Sequence, residues 1–126
     1  MTKRVIEGDA MPPVFGPYSQ AVAATGEWVF LSGQAGIDPV TGDAPTDFGA
    51  QARQAFENVA SVVAAAGLDM GHVVKTTIYL ADPAQFGVLN QLFEEYFPTS
   101  PPTRAVPIVQ LPKGLLISIE AIAIRP

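Results

Sequence analysis

The stretch Leu115-Leu116-Ile117-Ser118-Ile119-Glu120-Ala121-Ile122-Ala123-Ile124 decides how this chain folds. A run so rich in Ile, Leu and Ala fits a strand apolar on both sides and therefore covered on both sides. Glu120 is its one carboxylate. Buried without a partner, that group would cost several kcal/mol and would sooner bind a proton than keep its charge. The best nearby candidate for a partner is Arg104, in the run Ser100-Pro101-Pro102-Thr103-Arg104-Ala105-Val106-Pro107, where prolines stiffen the approach to a strand. An Arg and a Glu brought together in an apolar setting suit chemistry on a small anionic substrate.

Working outward, residues 103–109 and 115–124 read as a closing strand pair separated by Leu111-Pro112-Lys113-Gly114. Before them, Asp82, Pro83 and Gln85 have the pattern of an N-cap, a first-turn proline and a capping box. The helix they open carries an apolar stripe of Phe86, Leu89, Phe93 and Tyr96/Phe97, and Pro98 ends it. Residues 73–80 are rich in β-branched side chains and read as a strand. An earlier helix starts at Pro45-Thr46-Asp47 and repeats Phe48, Ala52, Ala55/Phe56, Val59, Val62/Val63 and Ala66 at helical spacing. Gly67 follows it where a left-handed terminating residue belongs, with Leu68 placed to fold back on the last turn. Residues 20–25 and 28–32 flank Gly26-Glu27, a connection of hairpin length, and Val5-Ile6 suggests a short first strand.

This order predicts a single α+β domain over residues 1–126, a sheet with two helices on one face. Proline-containing stretches at 11–17, 37–45 and 98–102 are connections within it. Two helices leave the other face bare, although Val22, Trp28 and Phe30 add apolar surface. Leaving that face in water would cost roughly 1.5–3 kcal/mol per Val or Leu side chain, which predicts an obligate homo-oligomer.

Composition narrows the function. The chain has 126 residues, 48% of them hydrophobic and 15% charged, which is too apolar for a disordered protein. A net charge of −5 and seven scattered basic residues argue against binding nucleic acid through its phosphates. The absence of Cys removes disulfides and thiolate chemistry and fits a cytoplasmic location. The N-terminal residues offer no signal-peptide pattern, and the longest apolar run is about half a membrane span. With His72 the only histidine, a metal centre or a Ser-His-Asp triad has little to build on, and His72 reads as a structural residue in a turn.

Arg104 has the planar fork that grips a carboxylate bidentately, the structural alternative being an ion pair with Glu120 or a surface group. Glu120 suits general acid–base work, the alternative being a carboxylate bonded to backbone N–H groups. Gly16-Pro17-Tyr18-Ser19-Gln20 and Ser32-Gly33-Gln34 read either as pocket linings or as ordinary turns. Asn90 sits beside the apolar stripe of the second helix and reads either as a ligand contact or as a surface amide.

Taken together, these segments resemble the reactive-intermediate deaminase family (RidA, or YjgF, also described as L-PSP endoribonucleases) over essentially the whole chain. The resemblance rests on Gly16-Pro17-Tyr18, Ser32-Gly33-Gln34, Gln51-Ala52-Arg53-Gln54 with Asn58-Val59, and Val74-Lys75-Thr76-Thr77. It continues through Pro102-Thr103-Arg104, Leu111-Pro112-Lys113 and Ile119-Glu120-Ala121-Ile122-Ala123, all in the family's order. It implies a chorismate-mutase-like fold: a mixed six-stranded sheet with two helices on one face, and a homotrimer whose sheets face a central barrel, with clefts between subunits. It also implies a cofactor-independent 2-iminobutanoate/2-iminopropanoate deaminase, which hydrolyses enamines and imines such as 2-aminoacrylate to 2-keto acids and ammonia.

By position, the resemblance assigns the substrate carboxylate to Arg104 and the attacking water to Glu120. Tyr18, Ser32, Gly33 and Asn90 would line the cleft, and the Gly33 and Val106 backbones would bond the ligand. The best-studied members have Cys where this chain has Val106, followed by Pro107; a contact made through backbone survives that change. The partners expected are an imine or 2-keto acid and further copies of the chain, with neither nucleic acid nor membrane. Two other readings remain open: a trimer that binds 2-keto acids without turnover, or acts as a holdase, and an endoribonuclease, which the acidic composition opposes.

Overall fold

The structure is a computed structural model and describes residues 3–126. The chain runs β1 (Lys3–Val5), β2 (Val22–Ala24), β3 (Glu27–Ala35), α1 (Phe48–Ala65), β4 (Val73–Leu80), α2 (Phe86–Tyr96), β5 (Thr103–Ala105) and β6 (Ile117–Arg125). β6 sits at the centre of a mixed sheet of order β3-β6-β4-β5, antiparallel to both neighbours, while β5 runs parallel to β4. α1 lies across β3 and β6, and α2 packs beside α1.

The local signals at helix ends act as their chemistry requires. The Asp47 carboxylate accepts from Ala50 N at 2.9 Å and caps α1. At the other end Gly67 takes φ +76°, and Leu68 N–H reaches back to Val63 O at 3.1 Å, closing the last turn. Asp82 accepts from Ala84 N at 2.9 Å, but it caps a short 3₁₀ turn, Pro83–Gln85, and Gln85 gives α2 no side-chain cap. The expected capping box is therefore absent, because the tighter first turn takes its place. His72 is structural: its Nδ1 accepts from Asp69 N at 3.1 Å in the turn before β4.

Three expectations about strand pairing need correction. The predicted hairpin does not form. β2 pairs with β1, with Val5 opposite Val22, while β3 pairs with β6, with Glu27 opposite Arg125. Gly26 adopts φ +135° between β2 and β3, and a Cβ there would collide with the Arg125 carbonyl oxygen, so the chain turns a corner instead of doubling back. The closing strands do not pair either: β5 joins β4 in parallel, and β6 inserts between β3 and β4. Among the described residues the six strands accordingly divide into a four-stranded sheet and a two-stranded ribbon, not one six-stranded sheet.

The core lies between the four-stranded sheet and the helices. Phe56, Val59, Val63, Ile78, Leu80, Leu89, Phe93, Ile117 and Ile119 are buried there. Phe56 stacks on Tyr96 at 5.0 Å between centroids and meets Phe93 edge-on at 6.4 Å. Within one chain only this face of β6 is covered throughout. On the other face Trp28 and Phe30 pair at 5.8 Å yet remain 60% and 69% exposed. Ser118, Glu120 and Ile122 are half-buried beside them.

Gly26→Ala is expected to lower the unfolding free energy by more than about 2 kcal/mol, because the new methyl must push the β6 end away. Urea unfolding checks this; an unchanged midpoint would contradict the corner geometry.

Candidate functional site

Strand register decides which predicted residues can meet. Side chains directly opposite one another across a ladder project from the same face. Thr76 is opposite both Arg104 on β5 and Ala121 on β6, and Thr76 and Ala121 are buried on the helix side. Thr77, one residue on, is opposite Glu120. Arg104 and Glu120 thus project from opposite faces of one sheet. The expected ion pair between them does not exist within a chain; the carboxylate instead accepts a hydrogen bond from the Tyr79 hydroxyl at 3.1 Å.

Arg104 organises the first group of residues. Its guanidinium carbon lies 5.0 Å from the Tyr18 ring centroid and 5.1 Å from that of Phe93 on α2. Gly16 presses against it: a Cβ at that position would sit 2.5 Å from Nη2 and 3.3 Å from Asn90 Oδ1. The Tyr18 hydroxyl accepts from Phe15 N at 3.2 Å, holding the loop closed over the site. Arg104 Nη1 and Asn90 Oδ1 are both buried with no hydrogen-bond partner among the described residues. Burial pulls the guanidinium below its ordinary pKa, with the Tyr18 phenol acting the other way. A half-buried cation held by two aromatic faces, with a buried N–H left unpaired, is arranged to receive an anion.

The second group lies on the bare face. A depression of about 340 Å³ is lined by Phe30, Ser32, Lys75, Thr77, Glu120 and Ile122, among others. Ser32-Gly33 occupies a bulge in β3, between the pairs Leu31–Ala121 and Gln34–Ile119. A Cβ on Gly33 would lie 2.7 Å from Ser118 Oγ, so backbone approaches closely beside Glu120. Lys75 Nζ donates to Thr77 Oγ1 at 3.1 Å rather than to the carboxylate.

Of the seven predicted site residues, the structure brings together Tyr18, Asn90 and Arg104 in one place, and Ser32, Gly33 and Glu120 in another. Val106 follows β5, half-buried against the core. Sequence pattern alone does not mark Lys75, Thr77 and Tyr79 as site residues. Their i, i+2, i+4 alternation puts them on one face of β4, but only the pairing with β6 reveals that Glu120 shares it. Among the described residues no group of three or more His, Cys, Asp or Glu side chains could hold a metal ion. Nor is any helix among them long and apolar enough to cross a membrane.

The profile of the family described as Endoribonuclease L-PSP matches residues 8–125. The chain is 41% identical to the 2-iminobutanoate/2-iminopropanoate deaminase of Escherichia coli K12, over 99% of each. It superposes on the crystal structure of E. coli TdcF with bound serine at a TM-score of 0.76 and 38% identity, covering 98% of this chain and 99% of that one. With YyfB of Yersinia pestis, of the conserved Rid family, the TM-score is 0.87 at 29% identity, covering 99% of this chain and 100% of the other.

Arg104→Met keeps the apolar stem and removes the unpaired charge. The melting temperature is expected to hold or rise; a fall of more than about 4 °C would mark the guanidinium as a structural strut.

Proposed function

The chain belongs to the endoribonuclease L-PSP family, the family of the RidA and YjgF proteins, and on that footing we propose that it hydrolyses small enamines and imines to 2-keto acids and ammonia. The carrying observation is the Arg104 Nη1, buried beside two aromatic rings without a partner. Arg104 takes the substrate carboxylate, and the Asn90 amide oxygen is available to an N–H donor beside it. An enamine is first protonated at carbon to give the iminium ion. Water's oxygen then bonds to the iminium carbon as Glu120 takes one of its protons and passes it to nitrogen; the C–N bond breaks, ammonia leaves, and the remaining hydroxyl proton returns to Glu120 and solvent as C=O forms. Imines already hydrolyse in water, so orientation and proton handling meet most of the demand without metal or cofactor.

The opposite projection of Arg104 and Glu120 supports a site built from two copies, with the anion-holding group of one facing the carboxylate group of the next. The exposed Trp28 and Phe30 beside the Glu120 depression supply apolar surface for such an interface. Three copies around a central barrel fit the family resemblance. A serine-bound relative, TdcF, favours a small-molecule ligand in any case, and binding without turnover is the second reading. The family's endoribonuclease label sits poorly with a net charge of −5.

Supplying imines with an amino-acid oxidase and following keto-acid release tests the activity. The protein is expected to accelerate release; an unchanged rate with and without it would favour the binding reading. Arg104→Ala is expected to abolish the acceleration without altering assembly mass, since a charge-assisted contact is worth on the order of 1.5–3 kcal/mol or more. Near-normal activity in that variant would remove Arg104 as the anchor. Glu120→Gln is expected to lower kcat more than it weakens 2-keto acid binding; equal losses would point to a structural carboxylate. Sedimentation of the native chain is expected to give three times the single-chain mass at micromolar concentration, and Phe30→Glu to reduce it; a native monomer would contradict the shared site.

A further inference from the structure

Glu120 is held at one oxygen. The Tyr79 hydroxyl donates to its Oε1 at 3.1 Å from a residue 41 positions away in sequence. The two side chains meet because Tyr79 is opposite Ser118, one same-face step along β6 from Glu120. Among the described residues no other side chain or backbone donor is bonded to this carboxylate, and Lys75, the cation in the same depression, is turned to Thr77. A carboxylate at the end of three flexible torsions needs such a tether to keep one lone pair aimed, and an ionised carboxylate can only accept, so the phenol must be the donor.

We propose that Tyr79 is a positioning residue for the hydrolytic reaction: its hydroxyl pins Oε1 of Glu120, leaving Oε2 to hold and deprotonate the attacking water. The role rests on the imine-hydrolase reading. It asks of Tyr79 that it keep its own proton while Glu120 cycles. The hydrogen bond to Glu120, assisted by burial and the carboxylate's charge, raises the phenol's pKa above its ordinary value, so the donor stays protonated at neutral pH. No proton is lost or gained by Tyr79 in the cycle; the water proton goes to Glu120 and thence to the departing nitrogen.

Tyr79→Phe removes the hydroxyl and keeps the ring. With imine substrate, kcat is expected to fall about tenfold while KM stays within about twofold and the melting temperature is unchanged. A second, activity-independent reading is the ultraviolet titration of the chain's three tyrosines. One high-pH transition should disappear in Tyr79→Phe, and in Glu120→Gln that same transition should move to lower pH. A Tyr79→Phe enzyme with unaltered kcat would overturn the positioning role while leaving the hydrolase intact. A Tyr79 titration indifferent to Glu120→Gln would overturn the bond itself. An unsubstituted protein without turnover would bring down the hydrolase reading and the positioning role together, even if the titration still detected the bond.

Discussion

The register of β6 against β4 is the constraint on which the rest of the molecule depends. Pairing Thr77 with Glu120 puts the carboxylate on the helix-free side, and pairing Thr76 with Arg104 puts the guanidinium on the helix side. A shift of one residue in the β4–β6 ladder would exchange buried and exposed sets, setting Ile117, Ile119 and Ala121 in water. The core therefore enforces the separation of the two charged groups. Their distance is a consequence of hydrophobic packing, and a single sheet has no means to reverse it.

Each group is left in a condition that packing alone does not explain. Arg104 is half-buried among Tyr18, Phe93 and Gly16 with an unpaired Nη1, a costly arrangement for a folded chain to keep. Two other arginines are satisfied. Arg125 bonds Glu27 and the Ala66 carbonyl, and Arg53 pairs with Glu95. On the other face, Glu120 shares its depression with the exposed Phe30, and the exposed Trp28 follows farther along the same face. An unfilled donor and an uncovered apolar face are two expressions of one incompleteness, and a neighbouring copy with a carboxylate ligand between would relieve both.

Features governed by nearest neighbours in sequence were legible before the structure. Asp47, Gly67 and Asp82 mark turns within a few residues of themselves, and the stripe of Leu89 and Phe93 follows from helical period. Non-local pairing was not. The Gly26-Glu27 spacing has hairpin length, yet β3 finds its partner some ninety residues on, because the apolar β6 buries more when flanked on both sides. The Arg104–Glu120 contact does not form within one chain for the same reason: sixteen residues of separation carry no information about which face each will take. Conversely, Tyr18, Asn90 and Arg104 do converge, and Ser32-Gly33 does lie beside Glu120, so motif order carried the local groupings while register carried their separation.

A site divided between copies has a direct experimental signature. Arg104→Ala and Glu120→Gln, each impaired alone, would be unfolded together, refolded as a mixture and assayed for keto-acid release. An Arg104→Ala chain still offers its carboxylate and a Glu120→Gln chain its guanidinium, so hybrid interfaces regain a complete pair, and the account predicts that the mixture recovers a substantial fraction of native activity. Mixed assemblies, verified by mass, that remain as inactive as their parents would contradict it.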